Sequence, residues 1–532
     1  MLTNGAHTQV LIIGAGPSGL MMAAQLLRLG VQPVIIDAKK GPAKHSKAMA
    51  LQARSLEIYR QLGIADRAVN DGSPAYSVAF SYNGNKLAAF RFSDPENSQS
   101  RYPYVLFYPQ SKNEQLLLGY LTRHSCPVYW NTVLTSLEQD EKQVTVSLNN
   151  GGQTVNITCD WLIGADGTHS EVRSQLKIPF TGQTYPSRFF LADVKLDNHG
   201  LNPNEMNGFL SGHGFAGFFP YPEAGFYRIT GNLPYIATKE DVLTLADVLP
   251  HLKNVTGTAL NIKQEIWFTV YRLHCRMADK FRDQRCFLIG DAAHIHSPVG
   301  GQGMNTGLQD AYNLAWKLAG VVNKQLKETI LESYTAERMP VARKLLRTTD
   351  RAFNLLLSKN WFAGLFKKTV ISGLLKIANK KHHVKEAFFK QLSQTGIKYR
   401  DSTLNLHLSH ASKIKAGDRL PYMKLYDEKR QEETDLHEWC SKTGFTLIVF
   451  GKFDELFLFN VARWITIKYA NLMNFFYLPP TGKNLDIFEA FEVSPHLQKA
   501  IIVRPDMHIG FMNDAVDLGL MDNYLRNVVG VT

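Results

Sequence analysis

The stretch Val10 to Gly19, VLIIGAGPSG, constrains this 532-residue chain more than any other. The apolar run Val10 to Ile13 predicts a short buried strand. Gly14, Gly16 and Gly19 follow in G-x-G-x-x-G spacing, and Leu20 to Leu29 has the pattern of a helix. Each glycine has its own task. Gly14 permits the tight strand-to-helix turn, Gly16 lets a pyrophosphate approach the backbone, and Gly19 lets the helix pack closely on the strand. A pyrophosphate is then expected at the helix N-terminus, whose free N–H groups and dipole favour an anion. A second strand, Val34 to Ile36, ends in Asp37, roughly 20 residues on, where such units hold a ribose hydroxyl. Strand, turn, helix, strand and acid in this order predict a dinucleotide site.

Two later stretches repeat the theme. In Leu162 to Arg173, LIGADGTHSEVR, an apolar strand runs into Asp166-Gly167; Ser170 is placed to cap a helical turn from which Arg173 projects back. In Cys286 to Leu318 another apolar strand ends at Gly290-Asp291, and the glycine-rich run Pro298 to Gly303, PVGGQG, precedes a helix. On that helix Leu308, Ala311, Tyr312, Ala315, Leu318 and Ala319 fall at helical spacing and predict a buried face. Glycines before a helix again expose backbone N–H groups at a positive dipole end, suited to an electron-rich ring oxygen. His294 and His296 stand two apart, which fits no zinc spacing, so no metal site is expected.

Between these motifs the chain has strand character. An Asn83-Gly84 hairpin joins two alternating segments. Ser111 is expected to cap a helix Lys112 to Arg123, with Glu114 closing a capping box. Residues 180–275 are short aromatic-rich strands that suggest a wall over something flat, with Phe189, Phe209, Phe215, Phe218, Phe219, Tyr221, Tyr227, Trp267 and Tyr271 as candidates and His274 as a polar group. For any one of them an ordinary sheet-core role is the better expectation. Trp361 to Ala378 is amphipathic and lysine-bearing, which allows a membrane contact but fits packing on its own protein better. FTLIVF at Phe445 and AIIV at Ala500 predict buried strands of a separate small α/β domain.

Composition narrows the class. The net charge is +12, with much of the excess between Lys317 and Lys415. No nucleic-acid motif accompanies it, so a solvated basic helix face is expected there. Five scattered cysteines without C-x-x-C suggest a reducing compartment, hence the cytoplasm. Met1 to Gln9 has no basic region of a cleavable signal, and no apolar run reaches about 18 residues.

Together the three motifs resemble the single-component FAD-dependent aromatic hydroxylases, the p-hydroxybenzoate hydroxylase-like group A flavoprotein monooxygenases, over about residues 8–345. IKYRDSTL at Ile397, AGDRLP at Ala416 and IVRPDMHIGF at Ile502 are similar to the phenol hydroxylase and 3-(3-hydroxyphenyl)propionate hydroxylase branch. The resemblance implies an α/β chain in four parts. These are a glutathione-reductase-type, Rossmann-like FAD domain (1–180 and 276–345), a mixed-sheet substrate domain (76–110 and 181–275), a helical segment (346–400) and a thioredoxin-like C-terminal domain (401–532). That last domain would lack its redox pair, since only Cys440 is nearby, and would serve structure or oligomerisation, with a homodimer expected.

It also implies cofactor contacts. Gly14, Gly16, Pro17, Ser18 and Gly19 would cradle the FAD pyrophosphate and Asp37 the adenosine ribose. Lys47, where relatives commonly carry arginine, and Arg54 would lie in the following loop and helix. Gln110 would sit near the ribityl chain and Val133 at the adenine. Asp166 and Gly167 would serve both FAD and NAD(P)H. Gly290 and Asp291 would bind the ribityl hydroxyls. Pro298, Gly301, Gly303, Met304 and Asn305 would face the flavin ring. Pro298, Asp291, Tyr271 and Tyr221 are the residues expected nearest the chemistry. That chemistry would be hydroxylation of a phenolic substrate by O2 through a flavin C4a-hydroperoxide, with NADPH or NADH as transient donor. A tetracycline- or rifamycin-like substrate is the alternative. A non-catalytic FAD-bound scaffold is a more distant one, and the intact Gly290-Asp291 and PVGGQG segments weigh against it.

Overall fold

A computed structural model of the chain describes residues 2–46, 48–92, 99–197, 201–233, 243–296, 301–357 and 382–532. Lys47, Pro298 and the Trp361 to Ala378 segment therefore lie outside the described residues. Three sheets organise the molecule.

In the first sheet the spatial order is Arg282–Asp283, Cys286–Leu288, Gln153–Gly164, His7–Ile13, Val34–Ile36 and Val128–Tyr129. Val144–Asn150 and Thr132–Gln139 extend Gln153–Gly164 as an antiparallel meander. His7–Ile13 is parallel to both its neighbours, and Ile13 lies opposite Gly164 and Ile36. Gly164 in turn lies opposite Leu288. This register brings three segments remote in sequence to one edge, each at the carboxyl end of its strand. Helices cover these strands, which is why Val10 to Ile12 are wholly buried and the run is continuously apolar rather than alternating.

The second sheet runs His294–Ile295, Ile262–Ala278, Phe180–Leu196, Phe226–Asn232, Gly214–Pro220, Glu205–Ser211, Ser77–Tyr82 and Asn85–Arg91. The predicted hairpin is present: Asn83 and Gly84 take φ of +48° and +80°, the left-handed pair of a two-residue turn. Helix Leu245–Thr256 covers one face, packing Val248, Leu252 and Val255 on Phe190, Ala192, Phe218 and Ile229.

A third sheet, near the C-terminus, has the order Leu406–His407, Ile509–Asn513, Lys499–Val503, Phe445–Phe450 and Met473–Leu478. Phe445–Phe450 and Met473–Leu478 are parallel and joined through helix Glu455–Lys468, whereas Lys499–Val503 and Ile509–Asn513 form an antiparallel pair. Both predicted apolar strands are here. The loop of that pair enters the first domain, where Arg504 donates to Glu337 at 2.6 and 2.9 Å.

Three expectations are corrected. Ser111 does not cap a helix. The helix is Gln110–Arg123, starting after Pro109, so Ser111 lies inside its first turn, where its Oγ accepts from Ser46 Oγ at 3.0 Å. Glu114 is likewise engaged elsewhere, accepting from the Ala43 N–H at 2.9 Å. Nor is the basic region wholly a solvated face. Lys317 and Arg338 are fully buried, on helices Gly303–Val322 and Glu332–Leu357, in ion pairs with Glu337 and Asp310. Helix Gly303–Val322 is buried on every side from Asn305 to Gly320, not on one face.

Candidate cofactor and substrate site

The three glycines of the first motif divide their work as their spacing predicts. Gly14 has φ +105°, and a Cβ there would stand 2.4 Å from the Ala165 carbonyl oxygen. A Cβ on Gly19 would stand 1.9 Å from the Gly14 carbonyl oxygen. A Cβ on Gly16 would meet nothing within 4 Å. Two glycines are thus required by protein packing, and the third faces open space at the start of helix Pro17–Arg28. A phosphate group fits there, against unpaired first-turn N–H groups.

The second motif is bound to the third. Asp166 accepts from Ser170 Oγ at 2.5 Å and from the N–H groups of Glu171 and Val172 at 2.7 and 3.1 Å. Ser170 caps the turn by accepting from the Arg173 N–H at 3.0 Å. Burial raises the Asp166 carboxyl above its ordinary range, against the pull of these bonds. Arg173 donates to the carbonyls of Ala292 at 2.8 Å and Thr168 at 2.9 Å, and its guanidinium lies 3.8 Å over the Phe180 ring. The predicted arginine therefore orients loops on neighbouring strands.

At the third motif Gly290 has φ +59°, and Cβ atoms built on Gly290 or Gly307 would each come within 2.3 Å of Ser18 Oγ. Ser18 thus fills the crossing of the first-motif helix, the Gly290 turn and helix Gly303–Val322. Asp291 is exposed in a short 3-10 turn at this edge. The turn hangs on Asp310, which the motif reading missed. Its Oδ2 accepts from the Gly290 N–H at 3.1 Å and lies 2.7 Å from His294 Nε2, while Oδ1 accepts from Arg338 Nε at 2.7 Å. Arg338 and His294 hold the Asp310 carboxyl down at about 2 despite its complete burial. The available signal was a carboxylate set between Leu308 and Ala311 on an otherwise apolar helix face.

Other expected contacts divide. Asp37 stands at the end of Val34–Ile36 and accepts from the N–H groups of Ala15 and Lys39, both at 2.7 Å, so it also shapes the glycine turn. Gln110 Oε1 accepts from the Ala48 N–H at 3.2 Å, and Val133 is 45% exposed on its strand. Asn305 holds the loop before helix Gly303–Val322: its Nδ2 donates to the carbonyls of Ala50 and Gly301, and its Oδ1 accepts from the Gln52 N–H and Ser55 Oγ. Gly301 has φ +61°, and Gly303 begins the helix beside His296. Met304 Sδ accepts from Asn113 Nδ2 at 3.4 Å. Arg54 is not brought to this rim. It donates to Glu57 at 3.1 Å and to the Asp506 carbonyl at 2.7 Å in a buried cluster.

The second sheet sorts the aromatic candidates by the two-residue alternation of a strand. Phe218, Tyr227 and Phe209 pack under helix Leu245–Thr256 and are core. Phe219 and Tyr221 pack on the first domain, and Phe189, Phe215 and Tyr271 cluster with Leu346. A polar group missed by the sequence reading lies here. Asp193 accepts from Arg228 Nε and Nη2 and from Tyr221 Oη, all at 2.8 Å. Tyr271 Oη is 3.4 Å from Thr230 Oγ1. Burial pushes both the Tyr221 and Tyr271 hydroxyls above their usual range. Trp267 stacks on His45, with centroids 5.2 Å apart, and His274 Nδ1 lies 2.8 Å from Thr184 Oγ1.

Three glycine turns at adjacent strand ends, opposite an aromatic sheet, are the architecture of a flavoprotein. Residues 7–349 match the FAD binding domain family, and the chain belongs to it. A 6-methylpretetramide 4-monooxygenase of Streptomyces rimosus is 35% identical over 74% of this chain and 71% of its own length. An uncharacterized aromatic compound monooxygenase of Bacillus subtilis, YhjG, is 31% identical over 95% of this chain and 94% of its own. Among solved structures, the anhydrotetracycline hydroxylase OxyS of Streptomyces rimosus superposes with a TM-score of 0.78 at 27% identity, covering 98% of this chain and 99% of its own. The chain is an FAD-dependent monooxygenase.

Proposed function

We propose that the chain hydroxylates a phenolic ring with O2, using NADPH or NADH as a transient donor. The observation that carries the reading is the placement of the Gly290-Asp291 turn and the start of helix Gly303–Val322 at the same sheet edge as the pyrophosphate cradle. Bound FAD supplies the redox chemistry and the activation of O2. The protein's part is to bind, orient and exclude water. Gly16 admits the pyrophosphate, Asp37 holds the ribose, and Asp291 holds the ribityl hydroxyls. Backbone N–H groups from Gly303 to Asn305 face the flavin pyrimidine. Tyr221, whose hydroxyl donates to Asp193 and accepts from Arg228, and Tyr271 border the substrate space.

The identity to the 6-methylpretetramide monooxygenase favours a second reading, a fused polycyclic phenol. One experiment addresses both. Purified protein is scanned for a flavin spectrum, then given single-ring and polycyclic phenols while NAD(P)H oxidation and product mass are followed. The expected result is stimulated oxidation with a gain of one oxygen by one class. Colourless protein that does not rebind FAD, or oxidation without any hydroxylated product, would sink the reading.

The finer architecture follows the same reading. That reading divides the chain into the four parts expected from the sequence, with a thioredoxin-like C-terminal part. A parallel strand–helix–strand unit beside an antiparallel pair supports this. Cys440 is buried, with its thiol pushed up to about 12, and has no redox partner. All five cysteines are buried, in keeping with the reducing cytoplasm this reading expects. No helix among the described residues is long and apolar enough to cross a membrane. A homodimer through helix Glu455–Lys468 is supported by Leu456, Phe459 and Ile467, which are 69%, 62% and 69% exposed along one stripe. Glu455 at one end and Arg463 nearer the other suit an antiparallel second copy. Light scattering is expected to give twice 59.9 kDa, falling to the monomer mass on Phe459→Glu; a monomeric wild-type chain would refute the dimer.

A further inference from the structure

The start of helix Gly303–Val322 is gripped from behind by residues outside every motif. Gln302 precedes the helix, and its Nε2 donates to the carbonyls of Gln391 at 2.8 Å and Leu392 at 3.4 Å. Gln394 spans the next two turns. Its Nε2 donates to Thr306 Oγ1 at 2.8 Å, and its Oε1 accepts from Gln309 Nε2 at 2.7 Å. Thr306 Oγ1 donates onward to the Gln302 carbonyl at 2.9 Å, so the chain of bonds closes on the residue before the helix. Gln302, Thr306, Gln309 and Gln394 are all buried.

The gripping segment is itself fixed at several points. The Ser393 carbonyl accepts from the Arg54 N–H at 3.2 Å, and the Thr395 carbonyl accepts from Arg419 Nε at 3.1 Å. Gln394 has φ +59°, a left-handed conformation unfavourable for a side chain of this kind. Such strain persists only where the surroundings over-determine it. The paired amide bonds do so here: a glutamine reaching both Thr306 and Gln309 sets the rotation and the axial position of the helix start together.

We propose that Gln394 is a positioning residue for the flavin, fixing through Thr306 and Gln309 the backbone N–H groups of Gly303 to Asn305 that face the ring's pyrimidine oxygen. The inference rests on the FAD reading above. Donors aimed at a developing negative charge act only when held in place beforehand, and a displacement near 1 Å removes much of their effect. The helix dipole at the same end adds to the field there.

The test uses the full-length protein. Gln394→Gly deletes the amide and also relieves the backbone, because glycine accepts φ +59° without strain. Gln309→Leu deletes the partner from the other side. Three quantities are read: the FAD dissociation constant from titration of apoprotein, the visible flavin spectrum, and the midpoint potential. Both variants are expected to bind FAD at least 5-fold more weakly, with an altered spectrum and a lower potential. Gln394→Gly should keep the melting temperature of the wild-type apoprotein. Affinity, spectrum and potential all unchanged would overturn the proposal, even with a lower melting temperature. If Gln394→Gly fails to fold, Gln309→Leu decides by the same readouts. A wild-type chain that binds no FAD removes the underlying reading as well, so the two failures are distinguishable.

Discussion

Gly19→Ala is expected to destabilise the glycine turn and weaken FAD binding about 100-fold, whereas Gly16→Ala is expected to leave the apoprotein intact and weaken FAD binding alone. The contrast follows from what each added methyl would meet. At Gly19 the Cβ falls 1.9 Å from the Gly14 carbonyl oxygen and 3.3 Å from Ala165 Cβ. The first contact is to rigid backbone of the glycine turn, and the second is to the residue just past the end of the neighbouring strand. Helix Pro17–Arg28 must therefore move away from the strand end, taking its first-turn N–H groups with it. Overpacking of this kind costs about 3 kcal/mol or more where backbone must shift. If that cost is expressed in the holo state, it is about a 100-fold loss of FAD affinity. At Gly16 no protein atom lies within 4 Å of the new methyl, and φ is −77°, which alanine accepts. Its methyl occupies the space assigned to the pyrophosphate. The measurement is paired: the apoprotein melting temperature and the FAD dissociation constant for each variant. A Gly16→Ala protein with wild-type FAD affinity would falsify the assignment of that space.

The cofactor motifs were legible because they act through backbone. A glycine's conformational freedom, a strand's apolar run and an acid at a strand end each leave a local trace, and strand pairing then brings the three turns together. What was not legible depends on partners remote in sequence. Ser111 has the pattern of a helix cap, but the helix begins one residue earlier, after Pro109, and Ser46 from a different loop engages its side chain. Arg54 lies in the expected stretch, yet the Asp506 carbonyl and Glu57 claim its guanidinium. Phe218 and Phe219 are adjacent aromatics of the same strand. Alternation puts one under a helix and the other toward the first domain, and composition could not say which, because both faces of that sheet are covered. Asp193 and Arg228 carry no local signal at all: antiparallel register makes them neighbours. Lys317 and Arg338 show the same limit. Charges on a helix suggest solvent until the helices that bury and pair them are in place.

The second large effect belongs to Asp310. Asp310→Asn is expected to destabilise the protein by about 3–5 kcal/mol at pH 7, the cost of breaking a buried ion pair from one side. Arg338 is fully buried, and without the carboxylate it retains only Tyr399 Oη and the Thr306 carbonyl as partners. The Gly290 N–H and His294 lose their charged acceptor in the same change, so the turn that carries Asp291 loosens and FAD affinity falls with stability. The pH dependence separates this from a packing defect. Arg338 and His294 lower the Asp310 carboxyl to about 2 in the folded protein, below its unfolded value of 3.8. A depressed carboxyl contributes stability that is fully present above the unfolded value and is lost as pH falls through the folded one. Denaturant unfolding of wild type and variant should therefore differ by a constant amount from pH 7 to about pH 5. The difference should then narrow as pH drops below about 4, because the unfolded wild-type chain takes up a proton at Asp310 that the folded state does not bind until about pH 2. A gap independent of pH down to the lowest value at which the wild type stays folded would assign the effect to shape rather than to the ion pair. In that case the hold of Asp310 on the Gly290 turn would have to be attributed to its hydrogen-bond geometry alone.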